Sequence, residues 1–155
     1  MNLGKVFPPE SIILNLESTE KDELFEELVQ NIVSRHPEIN REEALAALSS
    51  REQKMTTGIL PGIAVPHCGI DTAKCDAGAI GISKRGIDYD SLDKKPVHFV
   101  FMLICNSGDD AGHLENLKKI AILLKNKAFV EKLSAATSVN ELADMISNDD
   151  NYMEC

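Results

Sequence analysis

"VHFVFMLIC", residues 97–105, is nearly all apolar. Such a run reads as a strand covered on both faces, the centre of a sheet with helices above and below it. Working outward, "AGAIGISK" (77–84) carries small and β-branched residues and predicts a second strand. "SIILNL" (11–16) predicts a short third one. In "GIAVPHCG" (62–69) the run Ile63-Ala64-Val65 predicts a buried strand that stops at Pro66, which cannot donate to a ladder. His67 follows at once. "RGIDYDSLDKKP" (85–96) reads as a polar connection, and "MTTGILPG" (55–62) and "NSGDDAGH" (106–113) as turn-rich loops.

Helices fill the rest. Leu24, Phe25, Leu28, Val29, Ile32 and Val33 recur at three and four and predict a helix capped by Ser18 or Thr19 and ended by Pro37. Asn40 and Glu43 have capping-box spacing and open a second helix that runs out near Arg51–Lys54, with Ala44, Leu45, Ala47 and Leu48 inward. Leu114, Leu117, Ile120, Ala121 and Leu124 define the inner face of a third. "KAFVEKL" (127–133) is a short helix, and Ser138 with Glu141 opens a last one to about Ser147. Strands and helices mix without regular βαβ alternation. The expected fold is therefore α/β, one mixed sheet with helices on both faces.

The 155 residues suit one domain, 1–155, with an ordered core at about 5–147 and a frayed polar tail at 148–155. A net charge of −9 argues against unspecific binding to nucleic acid or anionic membrane. No apolar run approaches the roughly 20 residues that span a bilayer, so no direct membrane insertion is expected. "MNLGKVFPPE" lacks the regions of a signal peptide, and the expected compartment is the cytoplasm. Cys68, Cys75, Cys105 and Cys155 have no zinc-ligand spacing; no metal is expected and free thiols are the default.

Four histidines remain to be weighed. His36, before Pro37, reads as a helix C-terminal residue, and His98 as a satisfied strand residue. His67 and His113 each stand beside a turn-rich loop at the edge of a regular element. His113 falls in the first turn of its helix, with Asp109 or Asp110 as cap, where the dipole favours a neutral ring. For His67 both metal ligation and nucleophilic chemistry are open. A histidine accepts a phosphoryl or acyl group only through a neutral ring nitrogen. A phosphoryl product needs donors nearby, and "SREQKMTTGILPG" (50–62) offers Arg51, the hydroxyls of Thr56 and Thr57, and N–H groups near Gly58. Together they make a candidate phosphate site. No Walker lysine motif is present, and neither a nucleotide nor another cofactor is implied.

"REQKMTTGILPGIAVPHC" (51–68) resembles the signature of the mannitol/fructose-type enzyme IIA domain of the bacterial phosphoenolpyruvate-dependent sugar phosphotransferase system. "GHLENLKKIAILLKN" (112–126) is similar to the second block of that family, and the resemblance covers about residues 5–147. It implies a mixed sheet of about five strands sandwiched between helices. It implies that His67 is the phosphoryl acceptor, a candidate tele-phosphohistidine, charged by the phosphohistidine of HPr and discharged to an enzyme IIB component, commonly onto a cysteine. His113 then corresponds to the second active-site histidine, which orients the phosphoryl group, and Arg51 to the family's arginine. Cys68 departs from the usual small residue after the phosphohistidine, often glycine, and reads as a packed thiol.

The expected role is a stand-alone phosphocarrier in sugar uptake. The alternative within the same fold is a nitrogen-regulatory IIA protein that uses the same histidine chemistry to switch protein binding. A binding module with a dead site is a third reading, disfavoured by the presence of both His67 and His113. The sugar is not named by the sequence, since IIA domains do not hold it.

Overall fold

The computed structural model describes residues 3–152. The elements in chain order are α1 (Leu3–Val6), β1 (Ile12–Ile13), α2 (Lys21–Arg35), α3 (Arg41–Lys54), β2 (Ile63–Ala64), β3 (His67–Ile70), β4 (Ala77–Ile87), β5 (Val97–Asn106), α4 (Asp110–Lys125), α5 (Lys127–Ala135) and α6 (Val139–Ser147), with 3₁₀ turns at Pro9–Ser11 and Asp149–Tyr152. β4 and β5 pair antiparallel at the centre of a mixed five-stranded sheet. β1 lies parallel on the free side of β4, and β2 and β3 lie parallel on the free side of β5. The α/β reading holds, and 97–105 is indeed a central strand.

From Phe99 onward β5 alternates between two cores. Val100, Met102 and Ile104 pack with Leu24, Phe25, Leu28, Ala44 and Leu48 beneath α2 and α3. Phe101 and Leu103 pack with Ile120, Leu123, Phe129, Leu142 and Ile146 beneath α4, α5 and α6. Both faces of the sheet are thus covered, which is why the strand reads as a continuous apolar run.

Pro66 does not end the strand. Ile63 sits opposite Phe99 and His67 opposite Leu103, so the register on β5 is unchanged across the interruption. The proline is tolerated because this is an edge strand, and its carbonyl still accepts from Leu103 N–H at 3.0 Å. His67 therefore opens a resumed strand on the α4 face of the sheet, where Leu103 also points.

Other expectations shift in detail. Neither Ser18 nor Thr19 caps α2: Glu20 holds the N-cap position without a side-chain bond. The N–H groups of Glu17 and Ser18 instead donate to the Glu27 carboxylate, which folds the entry loop back on the helix. Asn40 does cap α3, accepting from Glu43 N–H at 2.9 Å. The reciprocal half of the box is diverted, because the Glu43 carboxylate accepts from Thr72. Asp109 caps α4 and Ser138 caps α6. The stretch 85–96 is not merely a polar connection: β4 continues to Ile87, and Tyr89 is fully buried.

Order also extends past both expected ends of the core. Leu3, Val6 and Phe7 are buried, as is Tyr152, which stacks edge-on against Phe129 at 5.2 Å. The frayed tail expected from 148 is folded as far as Tyr152; residues 153–155, with Cys155, lie outside the described residues. Among the described residues no helix is long and apolar enough to cross a membrane.

Candidate functional site

The fold brings His67 and His113 together. The β3 start and the first turn of α4 lie on the same face of the sheet, and the two imidazole centroids are 5.5 Å apart with the rings tilted by 45°. His67 is half-buried, and its Nδ1 lies 2.8 Å from the carbonyl oxygen of Val65, two residues back across Pro66. A carbonyl only accepts, so Nδ1 carries the proton and the lone pair of the neutral ring sits on Nε2. Burial holds the His67 ring below the ordinary histidine range; the charges of Arg51 and His113 add to the shift, against the Val65 carbonyl and Glu52. Burial likewise lowers His113, with Asp110 and Asp109 opposing it. Both rings are thereby biased toward the neutral form.

His67 opens onto a cleft of about 320 Å³ between the α3–β2 loop and α4, lined by Arg51, Thr56, Ile59, Val65, Leu117 and Ala121 among others. Its rim is apolar: Ile59 is 54% and Met55 56% exposed. This explains a difference on α4. The expected inner face there included Leu114 and Ala121, yet both are exposed, and the buried positions are Asn116, Ile120, Leu123 and Leu124. The helix turns Leu117 and Ala121 toward the cleft and leaves Leu114 to solvent rather than to the core.

The donors expected around a phosphate are distributed unevenly. Arg51 lines the cleft; one of its guanidinium N–H groups donates to the Met55 carbonyl at 3.0 Å, which leaves the others of its five. Thr56 also lines the cleft; its Oγ1 accepts from Gly58 N–H at 3.1 Å and keeps its own proton to give. Thr57 is turned inward. Its hydroxyl donates to Glu52 Oε1 at 2.7 Å and its N–H to Glu52 Oε2 at 2.8 Å. Gly58 has its N–H engaged by Thr56, and a Cβ there would meet Ser91 and Tyr89 at 3.0 Å. Thr57 also borders the cleft, but its N–H and hydroxyl are engaged, so it and Gly58 shape the loop, while Arg51 and Thr56 keep donors for the cleft.

Three residues that the sequence reading did not single out organise this site. Glu52 is a buried carboxylate at the end of α3, bonded also to the Tyr89 hydroxyl at 2.9 Å and to Lys21 Nζ at 3.2 Å. Burial pushes its carboxyl up, but the bonds from Thr57, the Lys21 charge and the Tyr89 hydroxyl together outweigh that and hold it below its ordinary value. Tyr89 closes the network from β4's far end, with its phenol pushed up by burial and by Glu52. Cys105, on β5, lies against His113 Nδ1. Cys68 is buried in the α2–α3 core with its thiol pushed up to about 12, a packed residue as expected. His36 forms the C-cap of α2 and His98 Nδ1 donates to the Ser83 carbonyl, both structural. Among the described residues no cluster of side chains is arranged to hold a metal ion.

Known proteins share the family signature and the fold. The family model described as "Phosphoenolpyruvate-dependent sugar phosphotransferase system, EIIA 2" matches residues 5–149. The chain is 34% identical over 151 residues to the PTS system fructose-specific EIIABC component of Bacillus subtilis, which covers 97% of this chain but only 24% of that one. It is 30% identical over 146 residues to the PTS system fructose-specific EIIA component of Haloferax volcanii, covering 94% of this chain and 95% of that one. Among solved structures, the nitrogen regulatory protein IIA-Ntr of Neisseria meningitidis superposes with a TM-score of 0.85 at 28% identity, covering 93% of this chain and 98% of that one. The matched segment contains the whole sheet, the edge-strand His67 and the helix-start His113, and on that match the chain belongs to the EIIA type 2 family of the phosphoenolpyruvate-dependent sugar phosphotransferase system.

Proposed function

We propose that this chain is a phosphohistidine carrier: His67 Nε2 takes a phosphoryl group from the phosphohistidine of HPr and hands it to an enzyme IIB component for sugar uptake. The observation that carries this reading is the bond from His67 Nδ1–H to Val65 O, which leaves Nε2 as the nucleophile of a neutral ring at the cleft. In the first step the P–N bond on the donor breaks as a P–N bond to Nε2 forms. In the second that bond breaks as a P–S bond to the IIB cysteine forms. No nucleotide or metal is consumed. The transferring phosphoryl is loosely bonded to both sides, so positioning and electrostatics do most of the work.

The chain's residues divide that work. Arg51 offers the remaining fork of its guanidinium and Thr56 its hydroxyl. His113, 5.5 Å from His67, orients the group. One arginine and neutral partners stabilise the phosphoryl without trapping it. The apolar rim of Met55 and Ile59 suits protein partners that must press close enough to exclude water. A cytoplasmic location fits this relay.

Two predictions test the roles. With His113→Ala, phosphate still reaches His67, and transfer out of phospho-His67 slows by about tenfold, a charge-assisted hydrogen bond's worth. Unchanged transfer rates by rapid quench would reduce His113 to a helix-start residue. Arg51→Lys keeps charge but loses the planar fork and slows transfer, and Arg51→Ala slows it by about tenfold or more at an unchanged melting temperature. If Lys substitutes fully and Ala lowers only stability, Arg51 serves just the carbonyl of Met55.

The likeness to IIA-Ntr favours one second reading, in which phosphorylation of His67 switches binding to regulatory partners and feeds no sugar. The recipients separate the two: a IIB protein that gains phosphate from the labelled carrier supports transport, and partners that bind only one phosphorylation state without gaining phosphate support regulation.

A further inference from the structure

Cys105 is 1% exposed near the end of β5, opposite Gly69, so no side chain on β3 stands over its thiol from across the pair. Its Sγ has two polar neighbours: Nδ1 of His113, the nearer, which donates or accepts according to the ring's tautomer, and the carbonyl oxygen of Cys68, an acceptor at 3.6 Å. We propose that Cys105 is a positioning residue for phosphoryl transfer. Its S–H donates to His113 Nδ1, fixes that ring as the Nε2–H tautomer, and so makes Nε2–H the donor that His113 offers to the phosphoryl group on His67.

The thiol has one proton for two neighbours. Given to the nearer partner, it occupies Nδ1 as an acceptor, and the remaining ring nitrogen must hold the hydrogen. Given to the Cys68 carbonyl, it would leave sulfur accepting from Nδ1–H and a bare Nε2 lone pair facing phosphate oxygens, an arrangement that repels. Burial, with Asp76, Asp109 and Asp110 nearby, pushes the thiol up to about 12, so the proton is present at neutral pH. A thiol also differs from the carboxylate that often backs a catalytic histidine. A carboxylate at Nδ1 would favour the charged ring and hold the phosphate. A thiol sets the tautomer and adds no charge, which suits a group that must arrive and leave.

This inference rests on the proposed function for what His113 acts upon, and the test separates the two. Long-range proton–nitrogen NMR of the unphosphorylated protein is expected to show His113 with an unprotonated Nδ1 and a protonated Nε2. In Cys105→Ala the ring becomes a mixture of tautomers, and in Cys105→Ser, which keeps an O–H donor, the single tautomer returns. Transfer out of phospho-His67, with unphosphorylated HPr as acceptor, slows about three- to tenfold in Cys105→Ala, the range of one hydrogen bond, and recovers to within about twofold in Cys105→Ser. A protonated Nδ1 on His113 in the parent protein overturns the proposal. So does a Cys105→Ala variant whose His113 tautomer and transfer rate are both unchanged. If the parent protein never takes phosphate on His67, the proposed function fails, the donor role assigned to Nε2–H falls with it, and the tautomer measurement alone still decides whether Cys105 sets the ring.

Discussion

His67→Ala is expected to abolish phosphoryl uptake from phospho-HPr, the proposed donor, while the protein stays folded. The side chain is half-buried at the edge of the sheet, and its one hydrogen bond is the local one to Val65. Removing it costs stability by about 0.5–1.5 kcal/mol, within what a two-sided core of this size tolerates. The backbone pairing of β3 with Leu103 does not need the ring. On the proposed mechanism the chemistry does need it: the thiol contact occupies Nδ1 of His113, whose Nε2 is assigned the hydrogen, and His36 and His98 are tied into structure elsewhere. Circular dichroism and intact mass after incubation with phospho-HPr read the two halves of the outcome. Stoichiometric phosphate on the folded variant would remove His67 from the mechanism. The parent rate should also carry an acid limb displaced below the usual ~6.5 of histidine, because the folded ring stays neutral to lower pH. The same sign applies to stability. A ring whose folded value is lowered contributes fully above the unfolded value, and that contribution is lost as pH falls toward the folded one.

Glu52→Ala is expected to destabilise the protein by about 3 kcal/mol and to slow phosphoryl transfer as well. The carboxylate is 7% exposed and accepts from four donors: Thr57 N–H, Thr57 hydroxyl, Tyr89 hydroxyl and Lys21. Alanine strands the buried ones. Lys21, which also lies 4.5 Å over the Tyr89 ring, keeps some access to water and softens the loss. The kinetic effect follows from position. The residue before Glu52 is Arg51, and the loop that its bonds hold down carries Thr56. Glu52→Gln keeps one acceptor oxygen, loses the charge and turns an NH2 toward the remaining donors, and should fall between. The folded carboxyl is held below its ordinary range, so its contribution is present above the unfolded value and is lost as pH falls through the folded one. The stability gap between the parent and Glu52→Gln should therefore close in acid. Urea melts across that range check it, and a gap that stays constant with pH would contradict the charged network.

Much of this was legible in the residues themselves. The apolar run at 97–105 is a central strand because two helical layers cover it, and the caps at Asn40, Asp109 and Ser138 form because short polar side chains meet free N–H groups there. The His67–His113 pair could be proposed from loops and strand ends, but only the parallel register of β3 on β5 brings the rings together. What stayed hidden depends on distant partners. Tyr89 sits between Asp88 and Asp90, and nothing local tells that its hydroxyl turns in to meet Glu52 and Thr57. For the same reason Thr57 reads as a phosphate ligand in sequence, and nothing local tells that its hydroxyl is bonded to Glu52. Pro66 signals a strand end where an edge position lets the strand resume. The rotated face of α4 could not be read from periodicity, because an apolar stripe looks alike whether it meets the core or the mouth of a cleft.

Nε2 of His67 is the atom expected to carry the phosphoryl group. Incubating the protein with phosphoenolpyruvate, enzyme I and HPr, then reading the histidine nitrogens by phosphorus- and nitrogen-detected NMR, tests it most directly. One phosphate per chain is expected, bonded to Nε2 of His67, with Nδ1 still protonated toward the Val65 carbonyl. Phosphate on Nδ1 of His67, on His113, or on no histidine at all would contradict it.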